Sequence, residues 1–308
     1  NEAIFYTSGR TSNEAAFLWQ LLARGFGTNN LPDCSNMCHE SSGFALSDSI
    51  GIGKGTVKLE DFNKADLILV VGQNPGTNHP RMLTALRDAK KNGASIISIN
   101  PLIETGMKKF KHPQNPLEML GLGKSIADQH IRVKINGDLA LFRGINNLLL
   151  KDEMYDSNFI ANFTSNFDDY KESISQVEWS VIKEISGVSK SEIRALANII
   201  AKSESMITCW AMGITQHHNS VETIQEIVNT HLIGGHIGRE GAGVCPVRGH
   251  SNVQGDRTVG INHVITPEFA ERISQTTGIE VPLDHGFDAV NAANAMMENS
   301  DKIFFAMG

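Results

Sequence analysis

Leu67-Ile68-Leu69-Val70-Val71 is an uninterrupted apolar run closed by Gly72-Gln73-Asn74-Pro75-Gly76, and Ser95-Ile96-Ile97-Ser98-Ile99 is a second run closed by Asn100-Pro101. Short runs of β-forming residues bounded by turn residues specify strands buried on both faces. Pro80 to Lys91 carries a helical pattern between them, so the order is strand, helix, strand, a βαβ unit of a parallel sheet. In such sheets ligands bind outside the carboxyl ends of the strands. Gln73, Asn74, Thr77, Asn78, His79 and Asn100 fall there. The G-x-G-x-x-G fingerprint is missing, which removes support for an ordinary NAD-binding domain. Polar residues end the strands of any parallel sheet, so these positions alone leave a nucleotide site and a plain solvated edge both open.

On the N-terminal side, Ala3-Ile4-Phe5-Tyr6 reads as a strand, Thr7-Ser8-Gly9-Arg10 as a turn, and Asn13 to Leu22 as a helix. Amides at a helix start favour an anion and Arg10 can add a forked contact, although a solvated Arg in a plain loop fits the same residues. Asp33-Cys34-Ser35-Asn36-Met37-Cys38-His39-Glu40-Ser41-Ser42-Gly43 then packs two thiols, an imidazole and carboxylates ahead of an expected helix. Cys38 is a candidate soft ligand or nucleophile if His39 and that helix keep it ionised, and an inert buried thiol otherwise. Ser47 to Thr56 reads as irregular, and Gly53-Lys54-Gly55 lacks the spacing of a phosphate-binding Walker loop.

On the C-terminal side, Lys108 to Gly123 reads as a long surface loop, Ile131 to Ile135 as an alternating strand, and Leu139 to Leu150 as an amphipathic helix preceded by the turn Asn136-Gly137-Asp138. Helices are expected near Asn158 to Phe163 and Ser189 to Lys202. A strand follows at Ser205 to Ala211, with Met212 to Asn219 gathering polar groups at its end. The helix Ser220 to Ile233 then runs into a glycine-rich stretch, Gly234 to Gly255, which reads as a functional loop that brings backbone close to a large ligand. Ile303 to Met307 reads as a buried strand.

The 308 residues are 41% hydrophobic and 20% charged, which fits a globular chain with room for two cores. A formal charge of -7 without a long basic run argues against nucleic acid as the main partner and leaves room for a local basic patch that binds an anionic cofactor. No apolar run is long enough to span a bilayer. Four cysteines with long gaps after the Cys34 and Cys38 pair make neither a disulfide framework nor an iron-sulfur pattern, and free thiols suggest a cytoplasmic setting. Histidines 217, 218, 231, 236 and 250 lack zinc-site spacing. A start without Met and an end on a strand suggest a fragment of a longer protein.

Four motifs, in order, carry a resemblance: Asn36-Met-Cys38-His39-Glu-Ser-Ser-Gly, Gly72-Gln-Asn-Pro75-Gly-Thr-Asn-His79-Pro, Trp210-Ala-Met-Gly-Ile-Thr-Gln216 and Pro246-Val-Arg248-Gly-His-Ser-Asn252-Val-Gln254-Gly. Over essentially its whole length the chain resembles the molybdopterin oxidoreductases of the formate dehydrogenase alpha-subunit type. The resemblance implies a molybdenum (or tungsten) ion held by two molybdopterin guanine dinucleotides and one protein side chain, here Cys38. It implies His39 as proton acceptor, Arg248 as the group orienting an anionic substrate, and Arg10, Gly72, Asn74, Thr77, Asn78, Asn100, Gly137, Met212, Gln216 and His250 as cofactor contacts. Asn100, Leu102 and His250 depart from the family's acidic residue, Arg and Gln, and cysteine replaces selenocysteine. These departures place the chain in a formate-dehydrogenase-like branch.

The resemblance further implies an α/β fold of two parallel-sheet, Rossmann-like domains, one inserted in the other: residues 1–33 with 249–308, and 34–248. It implies a 4Fe-4S cluster outside this segment, oxidation of formate or a similar small oxyanion, and an electron-transfer partner. The alternative is a non-catalytic apo scaffold or interaction domain that keeps this fold.

Overall fold

The computed structural model describes residues 2–114, 116, 121, 123–298 and 302–308. Its strands, in chain order, are β1 (Ala3–Thr7), β2 (Leu67–Val71), β3 (Ser95–Ile99), β4 (Gln129–Ile131), β5 (Met206–Trp210), β6 (Gly243–Pro246) and β7 (Ile303–Met307). The chain divides into two compact units, residues 1–40 with 248–308, and residues 41–247. Cys38, His39 and Arg248, expected with the inserted domain, therefore all belong to the first unit.

The second unit is built on a five-stranded sheet of order β4-β3-β2-β5-β6, parallel at every pairing. All five side chains of β2 are buried. Leu67, Leu69 and Val71 enter one core with the helices Asp138–Lys151, Lys190–Lys202 and Ser220–Ile233, while Ile68 and Val70 enter another with Met82–Lys91. That explains the unbroken apolar run: alternation has no use where both faces are covered. Each such buried side chain contributes about 1.5–3 kcal/mol. From β2 the chain lays β3 and β4 on one side and later β5 and β6 on the other, so the strand order reverses between β2 and β5.

In the first unit β1 pairs in parallel with β7, Ala3 opposite Ile303 through Thr7 opposite Met307. Phe5, Ala16, Ala23, Leu31 and Ile261 form its core beneath the helix Asn13–Gly25. Arg24 is buried there, donating to the carbonyls of Gly260 (3.0 Å) and Asn262 (3.3 Å) and to Gln20.

Several expectations need correction. The strand expected at Ile131 to Ile135 stops at Ile131, because its partner β3 ends at Ile99 opposite that residue, and Lys134 N–H turns to Ser186 O at 2.8 Å. The helix expected to be amphipathic, Asp138–Lys151, is the hub of its unit, with eleven of its 14 residues buried. The glycine-rich stretch contains β6, paired with β5, and Thr56 braces its free edge through Thr56 N–H to Val244 O and Val244 N–H to Thr56 Oγ1. The segment read as irregular from Ser47 is helical to Ile50. Within Lys108 to Gly123, residues 115, 117–120 and 122 lie outside the described residues; Phe110 and Lys124 close its base as an antiparallel bridge. β7 is a half-exposed strand and not a buried one, its Phe305 stacked on Phe5 and its Phe304 on Tyr6.

Candidate functional site

In the second unit the site is the crevice at the carboxyl ends of β2, β3 and β5, where the strand order reverses. Gly72 leaves β2 at φ +56°, its N–H bonded to Ile99 O (2.9 Å) and its carbonyl accepting from Gly213 N–H (3.0 Å). A Cβ on Gly72 would lie 2.8 Å from the carbonyl carbon of Gly213. The two strand-end loops thus touch backbone to backbone, and only glycine fits there. Asn74 caps the short helix Pro75–Asn78, its side-chain oxygen accepting from Thr77 N–H at 3.1 Å. Thr77 and Asn78 stand exposed beyond it. After β5, the turn Met212–Thr215 leaves Met212 and Gln216 exposed on the same edge.

Glu104, which the sequence alone did not single out, organises the far side of this edge. Its carboxylate accepts from Asn74 Nδ2 (2.6 Å) and Asn100 Nδ2 (3.2 Å), so an acidic group stands beside Asn100 after all. Its signal was present in the spacing, four residues past a strand-ending Asn. Gly137 is pressed against the helix Trp179–Ser186, where a Cβ would come 2.8 Å from Ile185 O. Behind it Asp138 is 5% exposed, its Oδ1 has no hydrogen-bond partner, and burial pushes its carboxyl up to about 7. The sequence offered it only as turn and cap chemistry.

The first unit carries the reactive-residue cluster. Asp33 caps the short 3-10 turn Cys34–Met37 by accepting from Ser35 N–H (3.1 Å) and Asn36 N–H (3.4 Å), and Cys38 ends that turn. The Cys38 thiol accepts from Gly249 N–H and lies within electrostatic reach of the Arg248 guanidinium, both of which favour its ionised form. Burial outweighs them and raises its pKa. Arg248 is drawn down by burial and by Arg257, against Cys38 and Glu40, and its Nε is buried without a partner. His39 is buried beside Cys38 in sequence.

His250 packs its Cβ against the Gly9 position, and its Nδ1 is also a buried polar atom without a partner. Gly9 N–H donates to Cys34 Sγ at 3.1 Å, a structural duty for that thiol. Arg10 is exposed at the end of β1. Asn252, another residue the sequence reading gave no role, ties the two loops: its N–H meets Gly9 O (2.7 Å) and its amide donates to Thr11 O (2.7 Å). The expected residues thus fall into two clusters, Arg10, Cys38, His39, Arg248 and His250 on one unit and Gly72, Asn74, Thr77, Asn78, Asn100, Gly137, Met212 and Gln216 on the other.

Among the described residues, no group of three or more His, Cys, Asp or Glu side chains is arranged to hold a metal ion. No described helix is long and apolar enough to cross a membrane.

The fold places the chain among parallel-sheet α/β proteins, whose ligands sit at strand carboxyl ends. The chain belongs to the molybdopterin oxidoreductase family, whose profile matches residues 1–308. It is 51% identical over 314 residues to an uncharacterized oxidoreductase of Mycobacterium tuberculosis, covering 100% of this chain and 40% of that protein. It is 47% identical over 319 residues to protein YdeP of Escherichia coli, covering 100% and 42%, and 32% identical over 292 residues to formate dehydrogenase H of the same species, covering 91% and 38%. The chain therefore spans about two fifths of the length of these curated relatives. Among solved structures, acetylene hydratase from Pelobacter acetylenicus superposes with a TM-score of 0.68 at 18% identity, covering 99% of this chain and 43% of that one, a likeness of fold.

Proposed function

We propose that this chain supplies the active-site core of a molybdenum- or tungsten-dependent two-electron oxidoreductase that oxidises formate or a similarly small oxyanion. The observation that carries the reading is the Cys38 thiol within electrostatic reach of the Arg248 guanidinium, a soft ligand on the same unit as an anion grip.

The residues present fit a pterin-bound metal. In the second unit Asp138 Oδ1 is a buried polar atom without a partner and the Gly72 and Gly213 backbones meet directly, and in the first unit Arg248 Nε and His250 Nδ1 are buried polar atoms without partners. Bound there, the group would supply a two-electron acceptor. Gly72, Asn74, Thr77, Asn78, Asn100, Gly137, Met212 and Gln216 would hold one dinucleotide arm of the bis-molybdopterin guanine dinucleotide. Glu104 adds a carboxylate of the kind a guanine's paired N–H donors call for. Arg10 and His250 would face the second arm.

Cys38 Sγ would bind the metal, which keeps the thiolate ionised despite its burial. Arg248 grips the substrate carboxylate through its fork, and His39 accepts the proton released when formate gives up two electrons and leaves as carbon dioxide. The electrons pass to a partner protein or cluster outside this segment.

The test is the full-length protein that contains this chain, isolated from a molybdate-replete host, since the 308-residue segment alone is expected to be inactive. Metal analysis is expected to find molybdenum or tungsten with pterin, and Cys38→Ala is expected to abolish formate-dependent dye reduction. Protein free of both metal and pterin would overturn the reading in favour of a scaffold.

A further inference from the structure

One ion-pair cluster in the first unit has no part in the chemistry above. Arg257, on the helix Val253–Thr258, makes a forked pair with Asp33, Nε to Oδ2 at 2.6 Å and a terminal nitrogen to Oδ1 at 2.9 Å. The same terminal nitrogen reaches Glu40 Oε2 at 2.9 Å. Asp33 and Glu40 are the two ends of the loop that presents Cys38 and His39. Asn36, midway along it, donates to Glu40 (3.3 Å) and accepts from Ala289 N–H (3.2 Å). The Asp33 side chain is 3% exposed and the Arg257 side chain 24%, so the forked pair is shielded from the screening that weakens surface pairs. Glu40, at 38%, is the exposed member.

Arg248 lies within electrostatic reach of two charges, Arg257 and Glu40, and of the Cys38 thiol. Glu40 is an anion within electrostatic reach of the guanidinium that the proposed function assigns to the substrate anion. Arg257 occupies that carboxylate. The two carboxylates and one guanidinium carry one net negative charge, and removal of Arg257 leaves two.

We propose that Arg257 is a positioning residue that clamps both ends of the 33–40 loop, which fixes Cys38, and masks Glu40 so that Arg248 stays free for an external anion. The anion-grip half of this inference rests on the proposed function. The test therefore reads the field at Cys38 without any metal.

In the 308-residue chain produced without molybdate, Cys38 alkylation is followed by peptide mass mapping with anionic iodoacetate and neutral iodoacetamide. The ratio of the two rates reports the attraction of an anion to this site. Arg257→Ala is expected to lower the ratio about five-fold, the effect of one added charge at partly screened range. Glu40→Gln alone, which keeps the forked Arg257–Asp33 pair, is expected to raise it. The double variant R257A/E40Q, with the wild-type net charge, is expected to recover it. A ratio unmoved by Glu40→Gln, or a double variant as low as Arg257→Ala, overturns the masking role.

Hydrogen exchange over residues 34–40 needs no reactive thiol. It is expected to quicken in both Arg257→Ala and the double variant, and unchanged protection overturns the clamp. In the metal-loaded protein Arg257→Ala is expected to raise KM for the anion more than it lowers kcat, with partial rescue by Arg257→Lys. A protein that never loads metal refutes the function and leaves the alkylation result standing.

Discussion

Gly72 shows how tightly the crevice floor is specified. Any side chain there must adopt φ +56° and displace the Gly213 backbone, which neither neighbour can yield cheaply. Gly72→Ala is expected to cost on the order of 2–4 kcal/mol of unfolding free energy, read by urea titration. Asp138 gives the pH-dependent counterpart. Burial raises its carboxyl from 3.8 to about 7, so the folded chain holds the proton more tightly than the unfolded one. The stability tied to that proton is complete below 3.8 and is lost as pH rises through about 7. Asp138→Asn is expected to remove this slope, worth a few kcal/mol at most, and to flatten the profile of unfolding free energy across that window. A slope that survives the substitution would assign it to another group.

At the scale of elements, the helix Asp138–Lys151 carries a polar knot in its buried length. Asn146 donates to Glu226 Oε2 (2.9 Å) and Tyr170 Oη (3.0 Å) and accepts from Thr230 Oγ1 (2.8 Å), and Tyr170 donates to Glu226 Oε2 at 2.6 Å. Asn146→Ala strips a buried carboxylate of one donor and is expected to cost about 2–4 kcal/mol, checked by the urea midpoint. Nothing in the sequence announces this knot, because its members come from three helices far apart in the chain. The same reason hid the helix's true setting: local periodicity reports one apolar face, and only the arrival of neighbours buries the others. β2 and β3 were legible because short Ile-, Leu- and Val-rich runs, five apolar residues in β2 and three isoleucines in β3, stand between turn signals. β6 was not, since Gly243 and Pro246 have poor strand propensity and the strand exists by pairing with β5. The candidate site divides likewise: Gly72, Asn74 and Cys38 stand in contiguous motifs, whereas Arg257 meets Asp33 across 224 positions of sequence.

Over the whole molecule, the two units are built in opposite ways. The second, residues 41–247, is one continuous segment with a parallel sheet covered on both faces and its own cores. The first joins the two ends of the chain, and β1 has β7 as its only described strand partner, some 300 residues away. A continuous segment with a complete core closes its contacts without the rest of the chain. Residues 41–247 expressed alone are therefore expected to fold cooperatively, whereas residues 1–40 alone are expected to stay unfolded, lacking Arg257 for Asp33 and the Gly260 and Asn262 carbonyls for Arg24. Circular dichroism on urea titration checks both. In the full chain the first unit should melt earlier, because its cores are smaller and its second strand is half exposed. Fluorescence of Trp19 would then lose its native signal at lower urea than that of buried Trp210. If the two tryptophans instead lost their signals in one shared transition, the units would be a single cooperative body, and the separate stability argued for residues 41–247 would be wrong.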